Sequence, residues 1–215
     1  MQAMPGNPID LMVDTRVSAE KVAEIKAQWG LDEPPVVQYF YWIKNVLHGD
    51  FGTSISLKQS VSDLILQRLP YTLMLTGAAL LIEYIIAIPL GLLAAVKKNS
   101  AADKSLTVMT IVLWSMPPFW LGVLFILTFS VWLKILPISG WDGFASLILP
   151  AFTLALPALA QIFRLTRSEV LDVLDEKYVT TAYAKGLKNK VVLVKHVLRN
   201  AMIPVTVMFF LSLPW

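Results

Sequence analysis

No cysteine occurs anywhere in the 215 residues. Its absence excludes a disulfide framework, a thiolate metal site and a cysteine nucleophile, and says nothing firm about compartment. Histidine is nearly as scarce: His48 and His196 each stand without a second ligand at metal spacing, so neither is read as catalytic or metal-binding. No Gly-x-x-x-x-Gly-Lys-Ser/Thr stretch is present to cradle nucleotide phosphates, and no Ser/His/Asp or paired-carboxylate arrangement stands out. The chain is therefore expected to carry no catalytic residue, no metal and no cofactor, and not to be an enzyme. Charge is thin as well. Only 15% of residues are charged against 56% hydrophobic, and the mean hydropathy is +0.64, too apolar for an ordinary soluble domain and in keeping with a membrane as solvent.

The small net charge of +3 is unevenly spread. Residues 1–70 carry six Lys/Arg against eight Asp/Glu, while 164–200 carry eight against four. That asymmetry reads as membrane topology and not as nucleic-acid binding. Residues 71–96 hold one charge, Glu83, and at 1.5 Å per residue are long enough to cross a bilayer of roughly 30 Å. Lys97, Lys98 and Lys104 follow and mark that side as cytoplasmic. An uncharged second span is expected over 106–133, containing Pro117-Pro118, then a short external loop over 135–145. A third span with Pro150 and Pro157 is expected over 146–163, and a fourth begins at 201 and stops after about 15 residues, short of the roughly 20 needed.

Ahead of the spans, residues 1–70 are polar enough for water and are expected to form an extracytoplasmic helical segment, with 71–215 as the transmembrane domain. Ser18 can cap a helix with Val22, Ile25 and Trp29 on its apolar face and Gly30 as its stop. After Pro34-Pro35, the run Val36, Val37, Tyr39, Phe40, Ile43, Val46, Leu47 predicts a second amphipathic helix stopped at Gly49, with 49–52 as a turn and 60–69 as a short helix. Nothing at the N-terminus resembles a signal peptide or a leading span.

Glu83 is the one ionisable residue well inside a span. A lone carboxylate in hydrocarbon costs about 2.5 kcal/mol or more, which favours a bundle interior or a water-filled path. Pro89, Pro117, Pro118, Pro150 and Pro157 free backbone carbonyls, tolerable at membrane depth only against protein or water. Trp114, Phe119 and Trp120 are candidates to line a substrate path with Glu83 and Pro117, whereas Trp132 and Trp141 read as interfacial anchors.

The most informative stretch is 175–204, DEKYVTTAYAKGLKNKVVLVKHVLRNAMIP. Val170, Val173, Leu174, Tyr178, Val179 and Ala182 recur at helical spacing and predict one apolar stripe. Gly186 can take the left-handed conformation that ends a helix, and Asn189 can cap a second helix that Pro204 later interrupts. A short, partly apolar helix on a basic loop is a ligand for a groove on another protein.

TTAYAKG (180–186) followed by HVLRNAMIP (196–204) resembles the EAA loop of ABC-importer permeases, and in particular their dipeptide, oligopeptide and nickel branch. The positions of Glu-Ala-Ala read Thr180, Thr181 and Ala182, of which only the last matches. Segments 5–12, 31–55 and 64–73 also have counterparts in that family, although Asn7 stands where an acidic residue is usual. The resemblance implies an all-α, polytopic transmembrane bundle with the type I permease fold. It implies a coupling helix in the loop 164–200, comprising Tyr178, Thr180, Thr181, Ala182, Ala184, Lys185, Gly186 and Leu187. The implied partners are a second permease subunit, identical or not, two cytoplasmic ATP-binding subunits, an extracytoplasmic solute-binding protein and the lipid bilayer of a prokaryotic inner membrane, with no nucleic acid. The cargo would be a peptide or related small solute such as a nickel chelate. The resemblance further implies a helix ahead of residue 1 and more sequence after 215, so that the chain is expected to be truncated at both ends. A secondary transporter using Glu83 as its ion site is the alternative reading, and inverted repeats, which would favour it, are not seen.

Overall fold

In the computed structural model the described residues are 33–54, 56, 57 and 59–213. The helix predicted from Ser18 to Gly30 and the terminal Pro214-Trp215 lie outside them. By internal contacts the chain divides into two units, Met1–Thr72 and Leu73–Trp215.

In the first unit, α1 spans Pro35–Leu47 and ends before Gly49, whose φ of 85° no branched residue would adopt readily. The turn expected at 49–52 is present: the Gly52 amide donates to Asp50 Oδ1 at 2.9 Å, and Thr53 bridges Ser60. The short helix expected over 60–69 is the beginning of a longer one. Helix α2 runs unbroken from Val61 to Val96, 36 residues, or about 54 Å, well beyond the hydrocarbon thickness of a bilayer.

The second unit is assembled on one long helix. After α2, α3 spans Ala101–Ser115, α4 Pro118–Trp132 with wider π-type turns from Ile126 onward, and α5 Ala145–Leu174. A short α6, Lys177–Ala184, precedes α7, Asn189–Ser212, which again widens over Val192–Leu198. Helix α5 packs against α3, α4, α6 and α7. It contributes the fully buried Leu159, Ile162 and Phe163 to a cluster with Ala87 and Ala94 of α2 and Val205 of α7. Between helices in lipid, close packing takes over the role that water exclusion has in a soluble core. Small residues permit it. At Gly91 of α2, a Cβ would lie 2.8 Å from Thr166 Cβ and 3.0 Å from the Phe163 carbonyl, so the two backbones meet where only hydrogen fits.

Among the described residues three helices, α2, α5 and α7, are long and apolar enough to span a membrane, and the α3–α4 pair adds a fourth if taken as one span. That pair corrects the expectation of an ordinary second span over 106–133. Its halves are bent by 100° at the break between Ser115 and Pro118. Pro117 and Pro118 donate no backbone hydrogen bond, and each disfavours helical geometry in the residue before it. Met116 and Pro117 are accordingly extended, with ψ of 125° and 132°. Single prolines behave differently: α5 continues through Pro150 and Pro157, and α7 through Pro204, so Pro204 does not interrupt its helix. The fourth span also starts earlier than residue 201, because the helix predicted after Asn189 and the span are one helix.

Candidate functional site

The stripe from Val170 to Ala182 was predicted on one helix, and here too the structure differs. Helix α5 ends at Leu174, Asp175 closes it, and Glu176 is extended with ψ of 141°. The new helix α6 starts directly after these two acidic residues, which the positive end of its dipole favours. The stripe still faces one place. Val170, Val179 and Ala182 are buried together with Ala95 of α2 and Val192, Val197 and Ala201 of α7. Eight residues are too few to hold a helix alone in water, so α6 exists because Val179 and Ala182 are seated in that cluster.

Gly186 closes α6 as expected. Its φ is 76°, and the Leu187 and Gly186 amides donate to the Ala182 and Tyr183 carbonyls at 3.3 and 2.9 Å. This is the paired hydrogen bonding of a glycine-terminated helix. Asn189 is not the cap of the next helix. Lys188 holds that position, with ψ of 140°, while the Asn189 side chain accepts a 2.7 Å hydrogen bond from the Tyr183 hydroxyl. The Tyr178 hydroxyl accepts from Asn200 Nδ2 at 2.7 Å, and Asn200 also donates to the His196 carbonyl at 3.1 Å. Two tyrosines thus strap α6 to α7. The sequence marked Asn189 only as a cap and Asn200 only as part of 196–204, since nothing in it announces a contact across a turn.

These contacts divide the predicted loop residues by direction. Ala182 is 5% exposed and turned into the chain's own core. It therefore does not face outward to approach a groove wall, because the apolar stripe it belongs to is used internally. Thr180, Thr181, Ala184, Lys185, Gly186 and Leu187 are exposed, as is Tyr178.

At the same end of the bundle lies an ion pair that the sequence did not disclose. Arg167 of α5 donates from Nε to Asp103 Oδ1 at 2.7 Å and from Nη2 to Oδ2 at 2.8 Å. Asp103 is buried and also accepts from the Asn99 amide at 2.9 Å, while its own amide donates to Ser100 Oγ at 3.3 Å. The Ser100-x-x-Asp103 spacing is a legible helix start; the partner 64 residues away is not. Asp103 precedes the apolar run that begins at Leu106. Asp103→Asn, which gives up the charge that faces the Arg167 guanidinium, should lower the midpoint of thermal unfolding in detergent at neutral pH.

The predicted path residues are only partly brought together. Pro117, Phe119 and Trp120 line an open apolar cleft of about 450 Å³ at the bend, with Ile111, Val112, Ser115 and Met116. Trp114 stands beside it, its ring 5.0 Å from the guanidinium carbon of Arg164, a cation–π distance. Glu83 is not among the cleft residues. It is 5% exposed on α2, turned from lipid, and makes no ion pair with another described residue. Trp132 and Trp141 are both exposed beside the loop after α4. Among the described residues no group of His, Asp and Glu could hold a metal ion.

A bundle with a proline-broken span, bearing at one end a short helix strapped to its own core, is matched over its length by membrane transport proteins. Residues 87–215 match the family described as binding-protein-dependent transport system inner membrane component, and residues 1–76 match that system's N-terminal membrane component. The chain is 41% identical over 225 residues to the oligopeptide transport system permease protein AppB of Bacillus subtilis (strain 168), covering 100% of this chain and 71% of that protein. It is 38% identical over 213 residues to a putative peptide transport system permease protein of Brucella abortus (strain 2308), covering 95% and 68%. To the glutathione transport system permease protein GsiC of Salmonella typhimurium (strain LT2) it is 39% identical over 209 residues, covering 97% and 68%. This all-α, multi-pass membrane chain belongs to the family of binding-protein-dependent transport system inner membrane components, the permeases of ABC importers.

Proposed function

We propose that the chain lines the translocation pathway of an ATP-driven importer of peptides, and that α6 with the turn through Leu187 is the element on which an ATP-binding subunit docks. The observation that carries the reading is the two-sidedness of α6. Its apolar face, Val179 and Ala182, is fixed in the cluster shared by α2, α5 and α7, and its other face, Thr180, Thr181, Ala184 and Lys185, is free. A rigidly seated helix with a free outer face can pass a displacement into the spans, whereas a loose loop would absorb it. Tyr178 and Ala182 then serve as its internal seat. The peptide class rests on the relatives, which are permeases of oligopeptide, peptide and glutathione transport systems; nickel chelates have no such support.

The remaining partners follow from the same reading: a second permease subunit to complete the pathway, two ATP-binding subunits on the side of residues 97–105 and 164–200, and a solute-binding protein on the other side, in a prokaryotic inner membrane. Residues 1–70 form an extracytoplasmic segment. Single cysteines replacing Ser139 and Lys190 of this cysteine-free chain are expected to react with a membrane-impermeant thiol reagent from opposite faces; labelling of both from the same face would overturn the map.

The decisive experiment is uptake of a labelled tetrapeptide and of labelled glutathione into proteoliposomes carrying the permease with its partner subunits. Uptake that requires ATP inside and collapses on omission of the ATP-binding subunits is the expected result. Uptake driven by a proton gradient and lost in Glu83→Gln would favour the secondary-transporter reading instead. Ala182→Trp forces an indole into the cluster of Val170, Val192 and Val197, and is expected to unseat α6 and reduce ATPase co-purification about ten-fold. Lys188→Ala and Lys190→Ala, on the exposed turn, are expected to stay within about two-fold.

A further inference from the structure

We infer that the Asp103–Arg167 ion pair is a positioning joint that makes α3 follow the α5–α6–α7 block, so that displacement at α6 reaches the bent α3–α4 pair and its cleft. The inference rests on the reading of α6 as the docking element, and goes beyond it by naming where the motion crosses into the broken span.

Four observations converge. Arg167 lies one turn from Val170, which is fully buried in the cluster that seats α6. Its guanidinium meets both oxygens of Asp103, at 2.7 and 2.8 Å, a two-point contact that fixes direction as well as distance. Asp103 is 3% exposed and is itself held by the Asn99 amide and the Ser100 cap, so the start of α3 is gripped together with the turn that leads into it. Asn99, with φ of 66°, is one of two described non-glycine residues in the left-handed region, and the Asp103 carboxylate receives its amide. From this grip α3 runs to the 100° break, and Ile111, Val112 and Ser115 near its end line the cleft.

Dispersion contacts along α3 and α5 would tolerate sliding of one helix on the other. A forked charge pair with one buried partner does not, since parting it leaves a carboxylate in a low-dielectric site with no opposite charge beside it. The pair therefore acts on α3 as a pin and not as general adhesive.

The test uses the permease assembled with its ATP-binding subunits in proteoliposomes, with Ser115→Cys as a reporter for a thiol reagent. In the otherwise unchanged chain, the labelling rate at this position should differ between the nucleotide-free and the vanadate-trapped complex. Arg167→Ala should reduce that difference at least five-fold while the ATP-binding subunits stay bound and basal ATP hydrolysis remains within two-fold. Arg167→Lys, which keeps the charge and loses the fork, should lie between. The double variant Asp103→Ala/Arg167→Ala leaves no buried charge unpaired and should be as uncoupled as Arg167→Ala, which distinguishes loss of the joint from damage by an orphaned carboxylate. Undiminished nucleotide dependence in either variant would overturn the inference. So would a parallel fall of assembly, hydrolysis and labelling, which would make the pair an anchor of the fold alone. A complex with unchanged Asp103 and Arg167 that binds no ATP-binding subunit would overturn the docking reading itself.

Discussion

Gly186→Val is expected to cut co-purification of the ATP-binding subunit with the permease about ten-fold or more, with membrane insertion near normal. The cause is conformational and not steric. A Cβ at Gly186 would meet nothing within 4 Å, but the residue sits at φ of 76°. A β-branched residue there costs about 1 to 3 kcal/mol, and each 1.4 kcal/mol is about ten-fold in an equilibrium. The chain can escape that cost by giving up the two hydrogen bonds from Leu187 and Gly186 that close α6. The last turn then unwinds, and Ala184, Lys185 and Leu187 lose their common orientation. Gly186→Asn, whose side chain tolerates the left-handed region, should retain most of the binding. Wild-type co-purification and substrate-stimulated ATP hydrolysis in Gly186→Val would make the segment an ordinary basic connector.

Gly91→Leu should be the most destructive single change in the bundle. Here the restriction is space: the added Cβ would lie 2.8 Å from Thr166 Cβ, and its nearest backbone neighbour, the Phe163 carbonyl, cannot rotate away. Helices α2 and α5 must separate, and with them go the contacts of Ala87 and Ala94 with Leu159, Ile162 and Phe163. Overpacking alone costs about 1 to 3 kcal/mol, and the lost helix contact adds to it. The expected readout is a fall in the monodisperse fraction on detergent size exclusion and a lower midpoint of thermal unfolding. Gly91→Ala should show a weaker form of the same loss. Gly77→Ala, at a position with nothing within 4 Å, is the control and should be neutral or slightly stabilising. Equal stability of Gly91→Leu and Gly77→Ala would show that α2 and α5 do not meet at Gly91.

The sequence by itself determined that the chain is helical, crosses a membrane more than once, and ends a short helix at Gly186. Each of these depends on local or one-dimensional information: apolar runs matched to bilayer thickness, and a glycine that takes a positive φ of 76° without strain. The start of α3 at Ser100 lay ahead of the span expected from Leu106, because the apolar run marks the hydrocarbon and not the cap. What only the tertiary structure decided is direction and partnership. The periodicity from Val170 to Ala182 was real, but it could not say that the helix breaks at Glu176 and folds its stripe back onto the cluster of Ala95, Val192 and Val197. Pro117 and Pro118 were visible as helix breakers, yet the 100° bend depends on what α4 packs against. Nothing local in the sequence marks Asp103 or Arg167 as one of a pair. Their pairing across 64 residues exists because α3 and α5 lie side by side, and no spacing along a chain encodes which two distant turns will meet.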